Sequence, residues 1–171
     1  MNSIAKFGSA GAAFAVLMLT AMPGHARPAD TARASVEKTP TVASESVSDS
    51  ALVKSLPGFR NGYADVHGVR LHYVAGGSGE PLVLLPGWPE TWWTFHKVMP
   101  ALAEHYTVIA VDLRGMGGSS KPAYGYDKKT MARDIHGLVT SLGHDNVNIA
   151  GHDIGSAVAF AYAANFPQAS S

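Results

Sequence analysis

The stretch Val147-Asn148-Ile149-Ala150-Gly151-His152-Asp153-Ile154-Gly155-Ser156-Ala157-Val158 decides the fold. Residues 147–150 form a short apolar run that suits a buried strand, and residues 154–165 form a small-residue segment that suits a helix. A passage this abrupt from strand to helix forces its central residue into a strained backbone conformation. Side chains two positions away on either side would collide there. Glycine at 151 and 155 removes the collision, and Ser156 and Ala157 let the helix lie close to the sheet. The turn also sets the Asp153 carboxylate at a helix N-terminus, where the dipole and free N–H groups favour its ionised, nucleophilic form. With 18 glycines and eight aspartates, Gly-x-Asp-x-Gly arises by chance about 0.1 times in such a chain, so the spacing alone is weak. It also fits an ordinary turn with an aspartate near a helix start. Its position between a strand and a helix gives it weight.

Upstream, strands and helices alternate. Residues 63–66 and 69–74 flank His67-Gly68, the pattern of an antiparallel hairpin. Pro81-Leu82-Val83-Leu84-Leu85 and Tyr106-Thr107-Val108-Ile109-Ala110-Val111 are continuous apolar runs, expected as strands buried on both faces. Residues 91–105 read as a helix, bent near Pro100. Asp127 has the chemistry to cap a further helix with Met131, Ile135, Leu138, Val139 and Leu142 on one face and Gly143 as its stop. The expected class is α/β, with a mostly parallel sheet and helices on both faces.

Two loops agree with the strand-to-helix turn. Leu85-Pro86-Gly87-Trp88-Pro89-Glu90 follows the first buried strand, and Asp112-Leu113-Arg114-Gly115-Met116-Gly117-Gly118-Ser119-Ser120-Lys121-Pro122 follows the next one. From Tyr63 to Pro167 the chain resembles α/β-hydrolases of the epoxide hydrolase and dehalogenase branch, in which aspartate is the nucleophile. The loop at 85–90 stands where that family carries His-Gly-x-Pro, with Pro86 in place of the histidine. The loop at 112–122 is similar to the family's structural D-x-R-G-x-G-x-S-x-x-P loop. The resemblance implies Asp153 as nucleophile and the backbone N–H groups of Trp88 and Ile154 as the oxyanion hole. It implies an Asp153 alkyl-enzyme ester, a small epoxide or halide substrate, and no cofactor or metal. Ile154 stands where dehalogenases carry a tryptophan or arginine donor for the departing halide, which favours the epoxide hydrolase branch over dehalogenation.

The other candidates read more plainly. His67, His72, His96, His105, His136 and His144 are expected as exposed or packing histidines. His152 adjoins Asp153 but points elsewhere along the turn. Trp88 can line a substrate pocket; Trp92 and Trp93 either line it or pack a helix. In this fold the acid and histidine partners follow the nucleophile in sequence, and here the sequence ends at Ser171, soon after the helix. The expectation is a hydrolase domain truncated after the nucleophile helix, lacking cap and last strands, with residues 147–150 as an open edge. The alternatives are a dehalogenase or other α/β-hydrolase, or a catalytically inactive truncated remnant.

Composition bounds the rest. Thirteen basic residues balance 13 acidic ones with no block of one sign, which argues against a nucleic-acid partner. There is no cysteine, hence no disulfide and no thiolate metal site. Residues 1–26 have the order of a signal peptide: Lys6, an apolar run over 10–22, and Gly24-His25-Ala26 before a cleavage point. The run is shorter than the roughly 20 residues a membrane span needs, so no stable membrane insertion is expected after cleavage. Residues 27–55, rich in Ser, Thr, Ala, Pro and Glu, read as a flexible linker, with the folded domain over 56–171. Exported protein, periplasmic or secreted, is expected to begin at Arg27 by intact mass spectrometry; Met1 retained on soluble cytoplasmic protein would count against export.

Overall fold

The computed structural model describes residues 47–170. The signal-peptide reading and most of the 27–55 linker lie outside the described residues.

Five strands form one sheet: β1 (Phe59–Val66), β2 (Val69–Gly77), β3 (Glu80–Leu85), β4 (Tyr106–Val111) and β5 (Asn148–Gly151). Their order is β1-β2-β4-β3-β5. The hairpin pairs β1 with β2, and β2 runs antiparallel to β4. β4, β3 and β5 are mutually parallel.

Side chains alternate across a strand, and here both faces are covered. In β4, Val108 and Ala110 face a cluster containing Trp92, Met99, Val74 and Leu84; Ile109 and Val111 face one containing Met131, Ile135, Leu138, Val158 and Tyr162. That double burial explains why β3 and β4 are continuous apolar runs rather than alternating ones. One face carries the helices α1 (Asp49–Lys54) and α2 (Met99–Leu102) with a 3-10 turn (Trp92–Phe95); the other carries α3 (Lys128–Ser141) and α4 (Ile154–Asn165). α3 starts where expected: the Asp127 side chain accepts the Thr130 N–H. The Thr130 hydroxyl, and then its N–H, hold the Asp127 carboxyl below the usual range. Gly143, at φ +84°, follows its last turn.

Three expectations need correction. The folded domain begins before residue 56, because α1 lies within the segment read as a flexible linker. Ser48 caps α1 by accepting the Ala51 N–H, and Val53 and Leu56 are buried against Phe59 and the Trp92 cluster. Two apolar anchors suffice for a helix this short when an existing core receives them. Residues 91–105 form no continuous helix. The Thr91 side chain caps a single 3-10 turn, and α2 is a separate four-residue helix with proline in its first turn. The 147–150 edge is also less bare than expected. The Val147 N–H donates to the Ala169 carbonyl at 3.2 Å, and Val147 bridges Ser170 in the parallel sense, so residue 147 is paired, while β5 itself is the edge strand as expected. The buried Tyr162 hydroxyl donates to the same carbonyl at 3.2 Å, and burial pushes its pKa up to about 12.

Asp112, at the end of β4, is fully buried and ties the two faces together. Its Oδ1 accepts the Trp92 N–H at 2.7 Å; its Oδ2 accepts the Gly118 N–H at 2.8 Å and lies 2.8 Å from His72 Nδ1. Its carbonyl accepts the Ser119 hydroxyl at 2.6 Å. Removing one partner of a buried charged network costs about 3–5 kcal/mol, whereas losing an exposed helix cap costs about 1 kcal/mol. In urea denaturation, Asp112→Ala is therefore expected to lose several times the stability lost by Asp127→Ala. Equal losses would show that Asp112 is no hub.

Candidate active site

β3 lies between β4 and β5. The connection from β3 to β4 crosses one face of the sheet, and that from β4 to β5 crosses the other through α3. Such a reversal leaves a crevice at the carboxyl ends of the strands. Leu85 stands in register with Gly151, so the loops that follow β3 and β5 emerge side by side. The His152 N–H donating to the Leu85 carbonyl at 3.0 Å locks them together.

Asp153 occupies the turn between β5 and α4 with φ +50° and ψ −119°, one of two positive-φ residues other than glycine among the described residues. A side chain in this region is strained, and such strain is concentrated at functional sites. Both flanking glycines are required by contact. A Cβ on Gly151 would come within 2.3 Å of the Gly155 backbone, and a Cβ on Gly155 within 2.2 Å of the Leu85 carbonyl oxygen. The Ser156 hydroxyl closes the turn by donating to the Gly151 carbonyl at 2.7 Å.

Across the crevice, the Trp88 N–H donates to Asp153 Oδ2 at 3.1 Å. This contact and the Ile154 N–H hold the Asp153 carboxyl below the usual carboxylate range. Slight burial opposes them, and the charges of His152 and Lys128 add a little. Asp153 and Trp88 are both exposed. The structure thus places the three residues singled out from the sequence side by side: a carboxylate open to solvent, the Trp88 N–H bonded to it, and Ile154 next in the chain. An exposed carboxylate with a backbone donor beside it has the chemistry to act as a nucleophile.

Residues 80–169 match the family model described as the alpha/beta hydrolase fold. The chain belongs to this family. It is similar to the soluble epoxide hydrolase of Corynebacterium sp. (strain C12), 57% identical over 100 residues, covering 58% of this chain and 35% of that protein. It is also similar to the fluoroacetate dehalogenase of Burkholderia sp, 39% identical over 115 residues, covering 64% of this chain and 38% of that one. Among solved structures, the epoxide hydrolase CorEH without ligand superposes with a TM-score of 0.65 at 51% identity, over 66% of this chain and 40% of the other. The chain spans between about a third and two fifths of the length of these relatives.

One member of the site escaped the sequence reading. Glu90 Oε2 accepts the Gly87 N–H at 3.1 Å and so braces the loop that presents Trp88. Its signal was a carboxylate three residues after a loop glycine, visible but without a partner until the loop closes. His72, expected as an exposed or packing histidine, is a packing one, fully buried between Asp112 and Asn61 Oδ1, 3.0 Å from its Nε2. Trp92 is fully buried core, and Trp93 is half-buried and stacks on His96, which places both in packing roles.

Asp49, His72 and Asp112 offer ligand atoms within 4.8 Å of one another. Each residue is already engaged: Asp49 Oδ1 accepts the Trp92 indole N–H at 2.8 Å, and both His72 ring nitrogens have partners. The cluster reads as a hydrogen-bonded brace between α1, β2 and β4 rather than a metal centre.

The lowered pKa of Asp153 gives a signed expectation. Its stabilising contribution is complete above the unfolded-state carboxyl value and is lost as pH falls through the lower folded value. Carbon-13 NMR of the aspartate carboxyls should show Asp153 titrating below the usual aspartate value. A midpoint at or above that value would contradict the Trp88 N–H contact.

Proposed function

We propose that this chain carries the nucleophilic part of an exported epoxide hydrolase, with Asp153 as nucleophile and the Trp88 and Ile154 N–H groups as the oxyanion hole. The observation that carries the reading is the strained Asp153 backbone, which holds an ionised, exposed carboxylate against the Trp88 N–H.

A carboxylate oxygen of Asp153 attacks one epoxide carbon. That carbon's bond to the ring oxygen breaks, and the ring oxygen leaves as an alkoxide that takes a proton to become a hydroxyl. The product is a hydroxyalkyl ester of Asp153. Water then adds to the ester carbonyl carbon, and the resulting oxyanion receives the N–H groups that previously held the carboxylate. Collapse releases the diol and restores Asp153 with one oxygen from water. The similarity to the Corynebacterium epoxide hydrolase supports this reading. Against halide displacement stands Ile154, whose side chain offers no donor to a departing halide.

Incubation with styrene oxide, quenched in acid, should trap a covalent adduct, mapped by peptide mass spectrometry to Asp153. Asp153→Asn should abolish it. An adduct that survives this substitution would overturn the assignment of the nucleophile.

A further inference from the structure

A second concentration of chemistry lies where the β1–β2 turn, α3 and the end of α4 meet. A cavity of about 320 Å3 there is lined by His67, Lys129, Arg133, His136, Asn165 and Phe166. Two of these residues carry positive charge, two more gain it on protonation, and none is acidic. Lys129, Arg133 and His136 recur at i, i+4 and i+7, so they share one face of α3. Like charges at this spacing repel one another, and an anion between them reverses the repulsion. The acids nearest in sequence are already engaged. Asp134 makes a two-pronged ion pair with Arg114, and Asp127 caps α3. Among the described residues, neither Lys129 nor Arg133 has a carboxylate partner.

Two departures from ordinary backbone preference converge on the same wall. His67 has φ +49°, and it is the other positive-φ residue that is not glycine, beside Asp153. Asparagine or glycine adopts that turn conformation with less strain. Its imidazole lies against α3 at Gly137, where a Cβ would come within 3.0 Å of Nε2. Glycine inside a helix is itself unfavourable. The strained turn and the helix glycine together seat an imidazole at the cavity edge. Opposite it, the His136 ring stacks on Phe166 with centroids 4.1 Å apart and planes 15° from parallel, which fixes its orientation.

An adjoining groove shares His67 and His136 and adds Asp65, Thr140 and Ser141. Asp65 carries negative charge and Thr140 and Ser141 are neutral, so this groove suits hydroxyls as hydrogen-bond partners and repels the phosphate itself. We propose that the cavity binds the phosphate group of a small organic phosphate whose hydroxyl-bearing tail lies in this groove. Arg133 supplies a planar fork and Lys129 a point charge, the pairing suited to a dianionic oxyanion. The site lies at the far end of α4 from Asp153, roughly 18 Å along the twelve-residue helix, so a ligand here need not compete with substrate.

The test is isothermal titration calorimetry of the full chain with inorganic phosphate and with glycerol 3-phosphate at constant ionic strength. Both should bind saturably at one site, glycerol 3-phosphate more tightly. The double variant Lys129→Gln with Arg133→Gln should weaken both at least tenfold. His67→Asn, which suits the turn, should weaken them while circular dichroism shows the fold retained. Lys97→Gln, an exposed lysine outside the cavity, should change nothing. A response that never saturates, unchanged affinity in the double variant, or an equal loss in Lys97→Gln would overturn the site. Glycerol 3-phosphate binding no tighter than phosphate would overturn the placement of the tail.

Discussion

The Asp112 carboxylate is the contact on which the rest of the molecule depends. It receives one donor from each of three separate pieces of chain: the 3-10 turn at Trp92, strand β2 at His72, and the loop after β4 at Gly118. Each of these is tied further outward, Trp92 through its indole to Asp49 of α1 and His72 to Asn61 of β1. A buried carboxylate is costly to desolvate, and this one is tolerable because the donors are complete. Ser119 finishes the arrangement, accepting the His72 N–H while donating to the Asp112 carbonyl. No buried side-chain polar atom among the described residues lacks a partner. A network so fully satisfied orients five elements at once.

That brace stands one strand away from the proposed nucleophile and shapes its surroundings. With β4 and its loop held, β3 is fixed between β4 and β5, and the Leu85–Gly151 register sets the two site loops side by side. Positioning is then handed to the backbone. The Trp88 donor is a main-chain group, and the brace on its loop is the single Glu90 carboxylate.

What the sequence revealed, and what it hid, follows from the range of the interactions involved. β3 and β4 were legible because strands covered on both faces must be apolar throughout. α3 was legible because its cap, stripe and stop are all local. Asp153 was legible for the same reason, since its strain and its glycines lie within five residues. The hidden features depend on distant partners. α1 has one buried residue in six and declares itself only when Trp92 and Phe59 receive Val53. Residues 91–105 had the apolar density of a helix, yet the Trp92 N–H is claimed by a carboxylate twenty residues away. His72 stands between Leu71 and Tyr73 on a hairpin, and its ring is enclosed only by distant partners: Asp112, Asn61 and the loop at Gly118.

The contacts that shape the elbow also bear on how this scaffold can be redesigned. Those that force glycine at 151 and 155 are made by main-chain atoms: the Leu85 and Pro86 carbonyls on one side, the start of α4 on the other. Neighbouring side chains cannot be repacked to make room, because no side chain is in the way. Positions 151 and 155 are thus closed to variation, whereas the Trp88 side chain is 65% exposed and projects from a loop held by its backbone. Variation at 88 alters the mouth of the site without touching the turn, while Ile154 packs against the core and Asp153 ties the two loops together.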